Sequence, residues 1–132
     1  MEIGYNIGGI VPNNVAGVDG KFIVVASPKT QVSRSLLLYA INYEHHSLGS
    51  AMDHRDIKEH FRLKQYVLGG GKIRESDGTV TLWDFSGEYG GVPYNALVKF
   101  GELLADGSRV EAKEHDCSVE WADWRQFGFS EE

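Results

Sequence analysis

Short apolar runs separated by glycine, proline and aspartate dominate the chain and predict strands more often than helices. Residues 22–26 are mostly β-branched and are bounded by turn residues, which indicates a buried strand. Residues 35–42 are apolar on both alternating faces, and this favours a central strand over a helix. Residues 66–73 are strand-like but contain three glycines, and residues 79–85 give the clearest strand. The interior of the chain therefore predicts a β-sheet.

The first helical segment follows the histidine-rich region in the middle of the chain. Ser50 with Asp53 three residues later resembles a capping box, and predicts a helix that ends near Lys64. Ile57 and Phe61 would face the core of the protein, since they share one side of that helix.

A second helix is predicted after residue 92. Pro93 suits its first turn, and the helix would run to Leu104 and end at Asp106 and Gly107. Its inward-facing side chains would be Ala96, Leu97, Phe100, Leu103 and Leu104.

The two ends of the chain complete the prediction of fold class. Residues 1–20 are rich in glycine and asparagine, so we expect a loop with one short strand. Residues 110–112 and 117–121 alternate between apolar and polar side chains, as half-buried strands do. Many strands and two separated helices predict an α+β domain that spans residues 1–132, with the helices packed on the sheet.

Composition and charge narrow the classes of function. The net charge of −6 argues against non-specific binding to nucleic acid, which needs a basic surface, but leaves room for a small phosphorylated ligand. No apolar run approaches the roughly 20 residues of a membrane helix, so we expect no membrane partner. The first residues lack the pattern of a signal peptide, and Cys117 has no second cysteine with which to pair. These features predict a cytoplasmic protein.

The strongest chemical signal is the run Gly69, Gly70 and Gly71, followed by Lys72. Glycines inside a strand are costly in conformational entropy, so a structural or functional requirement is expected. A bulge could point successive amides at one anion, with the lysine supplying charge. A plain bulge or a close approach between a strand and a helix explains the glycines equally well, and the spacing is not that of a P-loop.

The segment of residues 86–91 is a second candidate for anion binding, because it joins a strand to a helix. Such a loop can present its amides and the Ser86 hydroxyl to an anion. An ordinary connecting loop would have the same composition.

Histidines are the candidates for acid–base or nucleophilic chemistry. His45 and His46 follow a central strand, where either could be catalytic or merely solvated. His54 shares a helical face with Ile57, which favours a packed position at the edge of the core, whereas His60 would face solvent. The histidines do not have the spacing of a zinc site, and the motifs of serine and cysteine hydrolases are absent.

In order and spacing, these segments resemble the janus/ocnus family, which includes a phosphohistidine phosphatase. Lys21 resembles the lysine that precedes that family's first long strand, and residues 44–46 are similar to its segment ending in the active histidine. Residues 68–73 resemble the family's Leu-Gly-Gly-Gly-Arg-Ile signature, and residues 86–94 resemble its phosphate-holding loop. Residues 118–121 resemble its closing strand.

The resemblance implies a single mixed sheet of about six strands with two helices packed on it. It implies a hydrolase that needs no metal and no cofactor, and that acts on a phosphorylated protein or a small phosphorylated molecule. His46 would be the catalytic histidine, with His54 as its rival. Phosphate would be bound by Lys21, Gly70, Gly71, Lys72, Ser86 and Gly87.

Three departures from the family pattern support an alternative function. Lys72 replaces an arginine, Glu88 stands where the family has a small residue, and an apolar stretch near Leu38 replaces another arginine. A binding module that keeps the fold without catalysis would tolerate such changes. Glu88 would either pair with Lys72 or turn its side chain to solvent.

Overall fold

The computed structural model describes residues 2–27, 33–45 and 53–113. Apolar alternation in this part of the chain produces six strands, two α-helices and a short 3₁₀ helix, Tyr43–His45. The strands are β1 Glu2–Val11, β2 Asp19–Ala26, β3 Ser33–Asn42, β4 Val67–Ser76, β5 Thr79–Trp83 and β6 Arg109–Lys113. The helices are α1 His54–His60 and α2 Tyr94–Ala105.

The six strands form one mixed sheet in the order β1-β3-β2-β4-β5-β6. The outermost pairs, β1 with β3 and β5 with β6, are parallel, and the inner pairs are antiparallel. Helix α2 contacts β1 as well as β5 and β6, because the sheet curls around it. The predicted α+β class, with a mixed six-stranded sheet and two helices, is confirmed.

Each face of the sheet has its own apolar core. In β2 the side chains of Phe22 and Val24 pack on the α2 side, whereas those of Ile23 and Val25 pack on the α1 side with Ile57. All five are fully buried. Because both faces of β2 are covered, its sequence is a continuous apolar run.

The prediction of a loop over most of residues 1–20 is wrong, since β1 is a ten-residue edge strand. The prediction took the glycines of this segment as a sign of a loop, but these glycines have a packing role. A Cβ on Gly8 would collide with the ring of Tyr39, and a Cβ on Gly9 would lie 2.7 Å from Cε1 of Phe61. Glycine is needed there because aromatic rings lie directly against the strand.

Helix α1 is shorter than predicted and begins later. Its N-cap is Asp53, which forms a capping box with Asp56, one turn beyond the predicted pair. Ser50 lies outside the described residues. The helix ends at His60 rather than near Lys64, and the next residue but one, Arg62, has a left-handed backbone with φ of 54°.

Helix α2 agrees with its predicted bounds, although Pro93 is its N-cap rather than a member of its first turn. The prediction that Leu103 faces inward is wrong, since 48% of it is exposed. Gly101 lies directly against Val110 and brings the helix close to the sheet. The buried stripe therefore centres on Gly101, and Leu103 falls outside it. The predicted strand over residues 117–121 lies outside the described residues.

Candidate functional site

A cleft of about 570 Å³ lies where α1, the middle of β2 and β4, and the loop after β5 meet. It gathers several of the residues predicted for the site, namely His54, Lys21, Gly71, Lys72 and Gly87. The other described residues of its lining are Tyr43, Asp53, Arg55, Phe85 and Glu88. Segments distant in sequence thus form one pocket that contains a histidine and three cationic side chains.

His54 is the histidine of this cleft and is 6% exposed. Its Nε2 atom lies 3.0 Å from the carbonyl oxygen of Gly71. Because a carbonyl only accepts hydrogen bonds, Nε2 carries the proton, and Nδ1 of the neutral ring has a lone pair. Within the described part of the chain, no other hydrogen bond to this ring is formed.

Burial lowers the pKa of His54 below its usual 6.5, and the charge of Lys21 acts in the same direction. The hydrogen bond to Gly71 and the charge of Asp53 favour the imidazolium but do not outweigh burial. His54 is therefore neutral at neutral pH, and Nδ1 can accept a proton or attack an electrophile.

The three glycines of β4 are explained by close approach. Gly70 and Gly71 pair regularly with β2, and the bulge lies before them, where the register shifts between Val24 and Val25. A Cβ on Gly70 would lie 2.8 Å from Cδ2 of His54 and 2.9 Å from the oxygen of Phe22. The prediction that the glycines form a nest of amides is wrong, since they are extended and the Gly70 N–H donates to Gly90 at 3.2 Å.

Two lysines of the cleft are direct cross-strand neighbours. Lys21 on β2 is paired in register with Lys72 on β4, so both side chains project from the same face of the sheet. Like charges in directly opposed positions are destabilising. The Lys72 ammonium also lies 5.5 Å from the ring centroid of Trp83. An anion bound between the lysines would offset their repulsion.

The loop of residues 84–92 is held by hydrogen bonds at both ends and in its middle. Asp84 is 3% exposed, and its carboxylate accepts the N–H of Val92. The Ser86 hydroxyl oxygen accepts the N–H groups of Glu88 at 3.3 Å and Tyr89 at 3.0 Å. Ser86 therefore orders the loop without lining the cleft, and the loop places Glu88 there.

Glu88 has a partner that neither sequence-based interpretation anticipated. Its Oε1 atom lies 2.9 Å from Nε of Arg55, so it neither pairs with Lys72 nor turns wholly to solvent. Arg55 also bonds Asp53, with Nη2 3.0 Å from Oδ2. This hydrogen bond lowers the pKa of Asp53 and raises the pKa of Arg55. The guanidinium thus joins α1 to the loop across the cleft.

The two other histidines of the described residues, His45 and His60, do not line this cleft. His46, the first candidate for catalysis, lies outside the described residues. His45 is exposed in the 3₁₀ helix, and His60 is exposed at the end of α1. Leu38, near the position where the family carries an arginine, is fully buried in the core on the α2 side.

Arg55 and Asp84 were missed by sequence reasoning. In the sequence, Arg55 could have been noticed only because it is adjacent to His54, and Asp84 only because it is an acidic residue at the end of a strand.

Among residues 2–27, 33–45 and 53–113, no group of three His, Cys, Asp or Glu side chains could hold a metal ion. In the same part of the chain, no helix is long and apolar enough to cross a membrane. No protein-family model matches the chain, and neither does any curated protein.

Proposed function

We propose that the protein is a phosphohistidine phosphatase-like hydrolase that removes a labile phosphoryl group, with His54 as its active residue. One observation carries the proposal: the buried imidazole of His54, whose Nε2 is bonded to the Gly71 carbonyl, lines the same cleft as the opposed pair Lys21 and Lys72. Phosphoryl transfer requires positioning and charge neutralisation more than covalent work by the protein. The resemblance to the janus/ocnus family supports the same class of reaction, with His46 as the first candidate for the active residue and His54 as its rival.

The reaction uses His54 in one of two ways. In the first, Nδ1 attacks phosphorus, the P–N bond of a phosphoramidate breaks, and the amine leaves with a proton from solvent. Water then releases phosphate from the phosphorylated histidine. In the second, Nδ1 removes a proton from the water that attacks phosphorus directly, the P–N bond breaks, and the amine leaves with a proton from the imidazolium or from solvent. In both, the Gly71 carbonyl holds the ring in place and stabilises the positive charge that develops on it.

The phosphoryl oxygens would lie between Lys21 and Lys72, with Gly87 at the edge of the cleft. A phosphorylated protein or a small phosphorylated molecule is the proposed substrate, and the cytoplasm is the proposed location. Phosphoramidates suit such a site, because their P–N bond breaks readily once the nitrogen is protonated.

The test is hydrolysis of phosphohistidine and phospholysine peptides by wild type and three single variants. We expect His54→Ala to lower kcat/KM by about 100-fold or more, the usual contribution of a positioned acid–base group. His60→Ala is the matched control, because His60 is exposed on the same helix and is absent from the cleft lining. Equal rates for wild type and His54→Ala would refute the assignment, and loss of activity in His46→Ala alone would move it to His46.

A non-catalytic binding module is the second candidate, and the Arg55–Glu88 ion pair favours it. A carboxylate at the cleft opposes an incoming dianion. Thermal unfolding distinguishes the two functions, since a working anion site is stabilised by phosphate through mass action. A melting temperature that responds to neutral or cationic ligands, but not to phosphate or sulfate, would support the binding module.

A further inference from the structure

Arg55 occupies a position that nothing in the sequence assigns to the site. It is the second residue of α1, directly after His54, and its guanidinium lines the same cleft as Lys21 and Lys72. Its side chain is 63% exposed, so the group is accessible to a ligand that enters from solvent.

Two carboxylates hold this guanidinium from separate elements. Asp53 bonds Nη2 from the N-cap of α1, and Glu88 bonds Nε from the loop after β5. A guanidinium has five N–H donors in a fixed plane, so about three remain for another partner. A phosphate would meet an arginine that is already oriented. The arginine side chain would therefore lose little conformational entropy when the phosphate binds.

The balance of charge also favours an anion. Among the described residues, the cleft is lined by three cationic side chains, Lys21, Arg55 and Lys72, against the carboxylates of Asp53 and Glu88. The whole chain carries a net charge of −6, so this local excess of positive charge runs against the composition of the protein.

We propose that Arg55 is a phosphate-binding residue of the cleft, and that Asp53 and Glu88 orient its guanidinium toward the phosphoryl oxygens. The assignment of this cleft to a phosphoryl group rests on the proposed function. In this arrangement Arg55 supplies the planar, directional contact, and the lysine pair supplies charge.

Inorganic phosphate is the probe, and its Kd is measured by thermal shift and NMR titration of the full chain. We expect Arg55→Ala to weaken phosphate binding about tenfold, the effect of losing roughly one charge-assisted contact. Arg55→Lys should recover only part of the affinity for phosphate, because an ammonium lacks the planar, paired N–H donors of a guanidinium. Added guanidinium chloride should restore phosphate binding to Arg55→Ala more than to wild type. Arg109→Ala, in which an exposed arginine of β6 is lost, should bind phosphate as wild type does.

Glu88→Gln separates ligand binding from a merely structural role. Glutamine keeps an oxygen that can accept the hydrogen bond from Arg55 but removes a negative charge from the cleft. We expect phosphate binding to this variant to tighten by about threefold to tenfold. If Arg55 only held the helix to the loop, Glu88→Gln would weaken the ion pair and, with it, phosphate binding. Weaker phosphate binding to Glu88→Gln would therefore overturn the inference.

Other outcomes separate this inference from the proposed function. An unchanged Kd in Arg55→Ala would overturn the inference even in a protein that hydrolyses phosphoramidates. Absence of phosphate binding by wild type would overturn it as well. Phosphate binding that depends on Arg55, in a protein that hydrolyses no phosphoramidate, would support the inference and refute the proposed function.

Discussion

The imidazole of His54 packs against the backbone of β4, where Gly70 leaves space for it. The Nε2–Cδ2 edge of the ring is held by its hydrogen bond to the Gly71 oxygen and by this close contact with Gly70. A catalytic side chain acts efficiently when its rotamer is locked by its surroundings. The glycines therefore contribute to the site by shape, through the position that they permit for His54.

This role of Gly70 predicts the effect of the smallest substitution. In Gly70→Ala the new Cβ would lie 2.8 Å from Cδ2 of His54 and would displace the ring. We expect a loss of about 1–3 kcal/mol in the free energy of unfolding, as for other overpacked cores. Phosphoramidate hydrolysis should fall by about tenfold or more, because small misplacement of a catalytic group is costly.

The matched control for stability is Gly87→Ala, since a Cβ there would meet no atom within 4 Å. Its thermal unfolding should be that of wild type within error. A Gly70→Ala protein with the melting temperature and hydrolysis rate of wild type would show that the contact with His54 does not position the ring.

At the scale of the element, the loop of residues 84–92 brings Gly87 and Glu88 to the cleft. The buried Asp84 carboxylate accepts the N–H of Val92 and so ties together the two ends of the loop. Gly91 has no side chain because the carboxylate of Asp84 lies where its Cβ would be. The buried Asp84 therefore positions the loop together with Ser86.

Asp84→Ala removes this tie and leaves a buried N–H without its partner. We expect a destabilisation of about 1–3 kcal/mol, measured by denaturant unfolding. Phosphate binding should also weaken, because the loop that brings Gly87 to the cleft would be less ordered. Glu102→Ala, on the exposed face of α2, should change neither quantity. An Asp84→Ala protein that kept both its stability and its phosphate affinity would show that the loop is ordered by other contacts.

At the scale of the whole molecule, the sequence predicted the fold class because burial leaves a direct signal. Strand β3 is apolar on both alternating faces because both sides of the sheet are covered, and α2 shows helical periodicity because one of its sides is buried. Strand β1 was missed because its glycines accommodate the rings of Tyr39 and Phe61. Those rings belong to distant segments, so local sequence holds no sign of them.

The site was partly predictable for a related reason. Lys21, Lys72 and His54 belong to segments with strong local patterns, and the cross-strand register of β2 and β4 brings the two lysines together. The Arg55–Glu88 ion pair depends on how a loop lies against a helix, which no local pattern encodes. The role of Glu88 therefore required the tertiary structure.

The most direct test of the central claim is a pH titration of the His54 ring by NMR, with and without phosphate. The signals are assigned by comparison with His54→Ala. In the free protein we expect the pKa to lie below 6.5, because burial disfavours the imidazolium. Phosphate bound at Lys21 and Lys72 should raise that pKa, since a neighbouring anion favours the charged ring. A His54 titration that is unchanged by saturating phosphate would contradict the account.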